Sequence, residues 1–375
     1  MRLSIVMCAK DPDERLLRAC LDSILRSDIS DYEIVLADDG SARDLTFLEG
    51  EYAPLRVLRL PHGGTLSARI AGALAAKGEI VAYCDCDDLV SFSHFSRLAE
   101  GVEAGFDVAV GGWAFFSGGC PYFLSDDTSL AEAEVRGDLL DWFFARAGRE
   151  HARYVLWNKA FSAPVLRRAA QALRDRLPDF PVVYAEDALL VFFALREAQS
   201  LCAVRGGGYV YRRKGGQVTD AASNATRAAC AGYVFSLFEE HARTQAQREQ
   251  IASWRRYLAR SLGGAFGDGG KAEKGDEAYL SHALLPANFE DYDRFLSGLK
   301  GEKSAEICGA RVPYFEAEAA RLGVVLRRKR GATLRIPRPR IPLLARIAHS
   351  ALLLRAGAKL FPRGGRLRRF FKKFL

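Results

Sequence analysis

The sequence predicts an α/β protein: an open, mostly parallel sheet flanked by helices, then a helical region, then a basic amphipathic tail. Three observations carry that reading. Short apolar runs alternate with helix-patterned segments through the first hundred residues, two of those runs end in clusters of aspartate, and the basic charge is concentrated at the C-terminal end. At 375 residues the chain exceeds one ordinary domain, and with 49% hydrophobic and 27% charged residues it can bury a large core.

Leu3–Cys8 is apolar throughout, the form of a strand buried on both faces. Pro12-Asp13 opens a helix whose apolar face is Leu16, Leu17, Cys20, Leu21, Ile24 and Leu25. Glu33–Ala37 is a second strand and stops at Asp38-Asp39-Gly40-Ser41. Leu55–Leu60 is a third and stops at Pro61-His62-Gly63-Gly64. A helix over Ser67–Ala76 leads through Lys77-Gly78 to a fourth strand, Ile80–Cys84, which runs into Asp85-Cys86-Asp87-Asp88. Strands that alternate with helices in this way build a parallel sheet with helices on both faces.

Ligands of such sheets bind at the carboxyl ends of the strands. Asp38, Asp39, Asp85, Asp87 and Asp88 therefore gather on one rim, where their repulsion costs stability unless a cation joins them. Mg²⁺ or Mn²⁺ is commonly held by one or two carboxylates plus substrate phosphates, so a short Asp-x-Asp is chemically sufficient. Either aspartate cluster alone reads as a turn with a helix cap, Asp88 for instance capping a helix near Ser93. Glu186-Asp187 reads likewise as a cap for a helix over Ala188–Glu197. An Asp-x-Asp after a strand also occurs in aspartate-nucleophile phosphatases, but Leu89 stands where those need Thr or Val.

Charge divides the chain. The last acidic residue is Glu318, and 17 of the 54 Lys and Arg lie beyond it, which leaves 37 against all 46 carboxylates, a net of −9. An acidic body with a basic tail calls for an anionic partner. Arg335–Pro342 is too proline-rich for a helix, whereas Leu343–Phe361 and Arg366–Leu375 interleave basic and apolar residues as interfacial helices do. Leu352, Leu353, Leu354, Phe370, Phe371 and Phe374 favour an anionic lipid surface over nucleic acid, each basic residue there contributing about 1 kcal/mol. The longest apolar run, Ala188–Leu195, is far short of a membrane span, and Met1–Val6 lacks a secretory leader's pattern. Eight scattered cysteines fit neither a zinc site nor a disulfide framework and read as reduced core residues of a cytoplasmic protein.

The ordered set Ser4-Ile5-Val6, Cys20–Leu25, Glu33–Ser41, Ala68-Arg69 and Gly78–Asp88 resembles the family 2 glycosyltransferases of GT-A fold. The likeness resumes at Trp157–Phe161, Glu186-Asp187 and Tyr209–Arg212, so it covers roughly residues 1–215. The resemblance implies a metal-dependent, inverting transfer of a sugar from a nucleotide-sugar, UDP-linked by expectation, to a hydroxyl of a glycan or lipid-linked acceptor in surface polysaccharide synthesis. By the same likeness the backbone at Ala9 lies beside the base, and Asp39, rather than Asp38, accepts the base N–H. Arg69 faces the phosphates or sugar, Asp85 the ribose and sugar, and Asp87 with Asp85 holds Mn²⁺ or Mg²⁺. Asp187 is then the general base with Glu186 bracing it, and Trp157 and Lys159 shape the acceptor side.

Departures from the family pattern are Lys10, where an aromatic usually meets the base, and His62 and Ile70, where asparagines are usual. Two rival classes remain at this stage. One is a non-catalytic membrane- or nucleic-acid-binding protein on the same scaffold. The other is a nucleotidyltransferase, although Cys8–Asp13 lacks the glycine-rich loop one would carry. The organisation expected is a catalytic domain over 1–215, a mainly helical region over 216–325 and a tail over 326–375 that docks peripherally on the inner membrane face.

Overall fold

The structure is a computed structural model that describes residues 1–117, 120–122, 134–148, 150–212, 224–261, 304–307 and 325–328. Most of the region beyond residue 261 and the basic arm beyond residue 328 lie outside the described residues.

The first four strands are β1 (Leu3–Ala9), β2 (Tyr32–Asp38), β3 (Leu55–Arg59) and β4 (Ile80–Asp85). They pair side by side as β3-β2-β1-β4, every pair parallel. Helix α1 (Glu14–Leu25) and a 3₁₀ turn (Thr46–Gly50) connect the first three, and α2 (Thr65–Ala75) leads into β4. Asp13 starts α1 by accepting hydrogen bonds from the Arg15 and Leu16 amides. Leu25, expected on the apolar face, is instead 41% exposed, the last residue of α1, while Leu21 and Ile24 carry the buried face to its end.

Beyond β4 follow β5 (Leu89–Val90), α3 (His94–Glu103), β6 (Val108–Ser117), β7 (Cys120–Tyr122) and β8 (Glu134–Arg136). Then come α4 (Leu139–Phe144), α5 (His151–Tyr154), β9 (Lys159–Ser162), α6 (Ala163–Arg174), α7 (Glu186–Glu197) and β10 (Ser200–Arg212). β9 lies antiparallel between β4 and β6, and β10 continues the sheet parallel to β6. The whole is one ten-stranded sheet whose long ladders are parallel. β10 runs through Gly206, Gly207 and Gly208, with its register shifting between Ala203 and Gly208. The region expected to be mainly helical over 216–325 contains two helices, Asn224–His241 and Gln245–Ser261. Ser304–Ile307, within a stretch read as helical, is a strand paired with Val325–Arg328, and that second strand spans the 325/326 boundary.

Strand parity decides which face each side chain meets. Val6, Val35, Val81 and Tyr83 pack into the core under α2, α6 and α7, while Ile5, Ile34, Ala82 and Cys84 pack into the core under α1 and α3. Counting on from Tyr83, Asp85 belongs to the α2 and α7 face. α7 is buried all round from Ala188 to Leu195, so its first residues are set firmly against the sheet end. Six cysteines, Cys8, Cys20, Cys84, Cys86, Cys202 and Cys230, are free thiols in this fold.

α2 lies unusually close to β1 because residue 72 is glycine. A Cβ there would stand 2.4 Å from Val6 Cγ1. Gly72→Ala should therefore force helix and sheet apart and cost about 1–3 kcal/mol in a denaturant melt, despite alanine's higher helix propensity. An unchanged midpoint would show that the close approach is relaxed.

Candidate active site

β2, β1 and β4 are neighbours, and their ladders pair Ala9 with Asp38 and Cys8 with Asp85. With strands about 4.8 Å apart, a ligand reaching from Asp38-Asp39 to Asp85 crosses about 10 Å over the end of β1. That is the span of a nucleoside.

The β2 end is held by the protein's own amides. Asp38 is buried and accepts from the Ser41 amide at 2.9 Å, and its Oδ2 has no hydrogen-bond partner. Asp39 Oδ1 accepts from the Gly63 amide at 2.8 Å and from Gly64 at 3.1 Å, and its Oδ2 lies 2.9 Å from His62 Nδ1. The Asp39 amide in turn donates to the Ala9 carbonyl at 2.8 Å, tying β2 to β1 at the rim. Gly64 adopts φ +87°, and a Cβ there would come within 2.9 Å of Pro181 Cβ, so only glycine fits this entry to α2. His62 thus belongs to the site by contact with Asp39, while the buried His94 is structural. Burial lowers the His94 pKa to about 4, and its Nε2 faces the Trp157 carbonyl at 3.3 Å.

The centre is Arg69. Its guanidinium, 6% exposed, reaches Asp85 Oδ1 at 3.0 Å through one nitrogen, and Glu186 Oε1 at 3.0 Å and Asp187 Oδ1 through the other. Burial alone would push the guanidinium's pKa down, but Asp85 and Glu186 beside it reverse this and hold it charged. Burial raises the Glu186 pKa above the ordinary range, with Arg69 pulling against it. The expected repulsion among rim carboxylates is thus met partly from within the chain. Glu186 and Asp187 are not a cap. α7 starts at Glu186, the residue before the helix is Ala185 in the left-handed region at φ +60°, and both acids stand in the first turn, 14% and 18% exposed. There the helix dipole favours negative charge.

Asp85 and Asp87 are half-buried, and Asp85 to Asp88 form a turn in which the Asp88 amide donates to the Asp85 carbonyl at 3.2 Å. α3 has Ser93, not Asp88, at its N-cap position. Asp88 turns inward, is 1% exposed, and accepts from the Tyr209 hydroxyl at 2.8 Å. Among the described residues no group of three or more His, Cys, Asp or Glu is placed to hold a metal ion. A pair of hard carboxylates at an open strand end nevertheless suits Mg²⁺ or Mn²⁺, which take much of their shell from phosphate and water. The donor set fits.

Trp157 and Lys159 do not present a surface to an acceptor. Trp157 is stacked on Tyr209 at 4.5 Å and is nearly buried. Lys159 is wholly buried, its Nζ donating to the Ala152 and Val155 carbonyls at 2.6 Å each and to Asn158 Oδ1 at 2.8 Å. Burial drives its pKa well below the usual lysine value. Trp157 supports the site through Tyr209, and Lys159 ties the start of β9 to the segment before it. Sequence reasoning gave no role to Tyr209, whose hydroxyl serves the Asp85–Asp88 turn, because a tyrosine in an apolar strand carries no signal beyond core packing. Lys10, the unexpected residue after β1, donates to the Gly40 carbonyl at 3.2 Å, joining the β1 and β2 loops.

Residues 4–167 match the family model "Glycosyl transferase family 2". The chain is 28% identical over 217 residues to the glycosyltransferase EpsJ of Bacillus subtilis, spanning 55% of this chain and 60% of that one. It is 25% identical over 218 residues to EpsH of the same organism, spanning 53% and 57%. The chain therefore covers about three fifths of the curated relatives' length. Among solved structures, residues 1–349 of S. aureus TarS in complex with UDP-GlcNAc superpose with a TM-score of 0.50 at 17% identity, covering 86% of this chain and 84% of that one. The sheet and its flanking helices have the GT-A arrangement.

Removing the central cation should expose the carboxylates' cost. In Arg69→Met the Glu186 pKa rises further. A carboxyl whose folded pKa exceeds its unfolded value adds stability below the unfolded value and loses it as pH climbs through the folded one. Metal-free Arg69→Met should lose about 3–5 kcal/mol at neutral pH and less in mildly acidic buffer. A loss independent of pH in paired denaturant melts would separate Arg69 from those carboxylates.

Proposed function

We propose that this chain, whose residues 4–167 match the family model of glycosyl transferase family 2, is a metal-dependent, inverting glycosyltransferase. It would move a sugar from a UDP-sugar to a hydroxyl of a glycan or lipid-linked acceptor in surface polysaccharide synthesis. The observation that carries the reading is the convergence of Asp85, from the end of β4, with Glu186 and Asp187, from the start of α7, on one buried guanidinium. In this reading the donor-side and acceptor-side carboxylates share one guanidinium. The UDP moiety is favoured by TarS, a GT-A protein whose structure contains UDP-GlcNAc.

In this mechanism the nucleoside lies across the ends of β2 and β1, its base toward Asp38-Asp39 and its ribose toward Asp85. Asp85 and Asp87 would hold Mn²⁺ or Mg²⁺ at the diphosphate. When bound, such an ion supplies Lewis-acid neutralisation of the leaving charge. Asp187 takes the proton of the attacking hydroxyl as the new bond forms on the face opposite the leaving group, which inverts the anomeric carbon. Arg69 and Glu186 keep Asp187 at a fixed place relative to Asp85, so that nucleophile and leaving group stay in line.

Asp187→Asn should leave UDP-sugar binding nearly intact and cut transfer by about 10²–10⁴-fold. Calorimetry and a product assay measure the two separately, and wild-type transfer would reduce Asp187 to a first-turn helix residue.

The basic arm completes the proposal. Among the described residues no helix is long and apolar enough to cross a membrane. The sequence beyond residue 328 instead suits peripheral docking on an anionic, cytoplasmic-face bilayer. A chain ending after Arg328, which keeps the strand Val325–Arg328, should bind nucleotide-sugar yet stop co-sedimenting with anionic liposomes. Salt should release the full chain only in part, since it screens arginine but not buried Leu and Phe. Complete release, with a steep salt slope, would point to nucleic acid instead.

A further inference from the structure

Tyr209 belongs to β10, 124 residues from Asp85 in sequence, yet its hydroxyl touches both ends of the Asp85–Asp88 turn. It accepts from the Asp85 amide at 3.0 Å and donates to Asp88 Oδ2 at 2.8 Å. The oxygen therefore bridges the first and last residues of the four-residue segment that presents Asp85 and Asp87. The ring is fixed from several sides. It stacks on Trp157 at 4.5 Å with 17° between planes, it lies 5.6 Å from His94, and it is wholly buried. The backbone of Tyr209 pairs with Val90 just past the turn, so strand and hydroxyl hold the same segment. A core tyrosine needs one partner for its hydroxyl, whereas this one has two, one on each side of the acidic motif.

We propose that Tyr209 is a positioning residue for the Asp85-x-Asp87 motif, its hydroxyl setting the spacing of the two carboxylates that would hold a divalent ion. This rests on the metal-dependent reading above. Outer-shell hydrogen bonds of this kind fix first-shell ligand geometry, and losing one lowers metal affinity by about 10–100-fold. Mg²⁺ demands near-octahedral geometry and Ca²⁺ tolerates irregular shells, so a slackened turn penalises Mg²⁺ more.

The test uses the full chain with UDP as the anchoring nucleotide and titrates Mn²⁺, Mg²⁺ and Ca²⁺ by calorimetry. Tyr209→Phe should weaken Mn²⁺ binding about 10–100-fold and Mg²⁺ binding more than Ca²⁺ binding, with metal-free UDP affinity unchanged. Asp88→Ala, which removes one partner of the same hydroxyl, should do likewise, and the double variant should lose no more than the worse single one. That cycle also serves if Tyr209→Phe folds poorly, since Asp88→Ala alone must then shift the Mg²⁺-to-Ca²⁺ preference. Wild-type ion affinities and preference in both single variants would overturn the positioning role. Asp87→Ala distinguishes this from failure of the underlying reading. If it abolishes metal binding while Tyr209→Phe changes nothing, only the inference falls; if it leaves metal binding intact, the metal site itself is misassigned.

Discussion

The site depends on one buried cation. Arg69 stands among three carboxylates from two distant parts of the chain, and the buried guanidinium and the acids beside it offset one another's desolvation. A guanidinium taken out of water must be paired, and its planar fork meets two sides at once, with one nitrogen toward Asp85 and the other toward α7. The balance is one positive charge against three negative. The rim therefore keeps an appetite for further positive charge after folding, most directly at Asp85 and Asp87. Arg69 stabilises the fold while leaving that demand unmet.

Which groups reach Arg69 follows from parity. In β4 the side chains alternate between the two cores, and Asp85 falls on the face covered by α2 and α7. One residue fewer in the strand would turn it toward α1 and away from Arg69. The left-handed Ala185 plays the matching part on the other side, since it turns the chain so that Glu186 and Asp187 open α7 facing the sheet end. Gly64 and Gly72 let α2 approach closely enough for Arg69 to reach both.

Much of this was legible in the residues themselves. Continuous apolar runs gave β1, β2 and β4, and the aspartates that end β2 and β4 gave the ligand edge, because a buried parallel strand and its polar end leave a clear boundary. The pairing of Asp85 with Glu186 and Asp187 was not legible from spacing, since it depends on α7 folding back across the sheet. Lys159 misled because a lysine reads as exposed, and only the three acceptors gathered by Ala152, Val155 and Asn158 make its burial tolerable. Tyr209 was hidden for the opposite reason, its polar atom being carried on an otherwise ordinary core side chain. Local pattern reveals edges and faces, whereas long-range polar contacts become visible only when the sheet is assembled.

The placement of β9 between β4 and β6 gives the protein a characteristic order of assembly. During synthesis β3, β2, β1 and β4 can pair as soon as Asp85 has emerged, because every parallel contact among them is already present. The second half of the sheet must wait for Lys159–Ser162, the strand that joins the halves. Asp187 lies 118 residues beyond Arg69, so the arginine spends that interval with Asp85 as its nearest acid. Nascent chains fold in units from the N-terminus. On the ribosome this protein would hold a parallel half-sheet before α7 is available, and the closing of α7 onto Arg69 marks the moment when Asp85, Glu186 and Asp187 first share one cation.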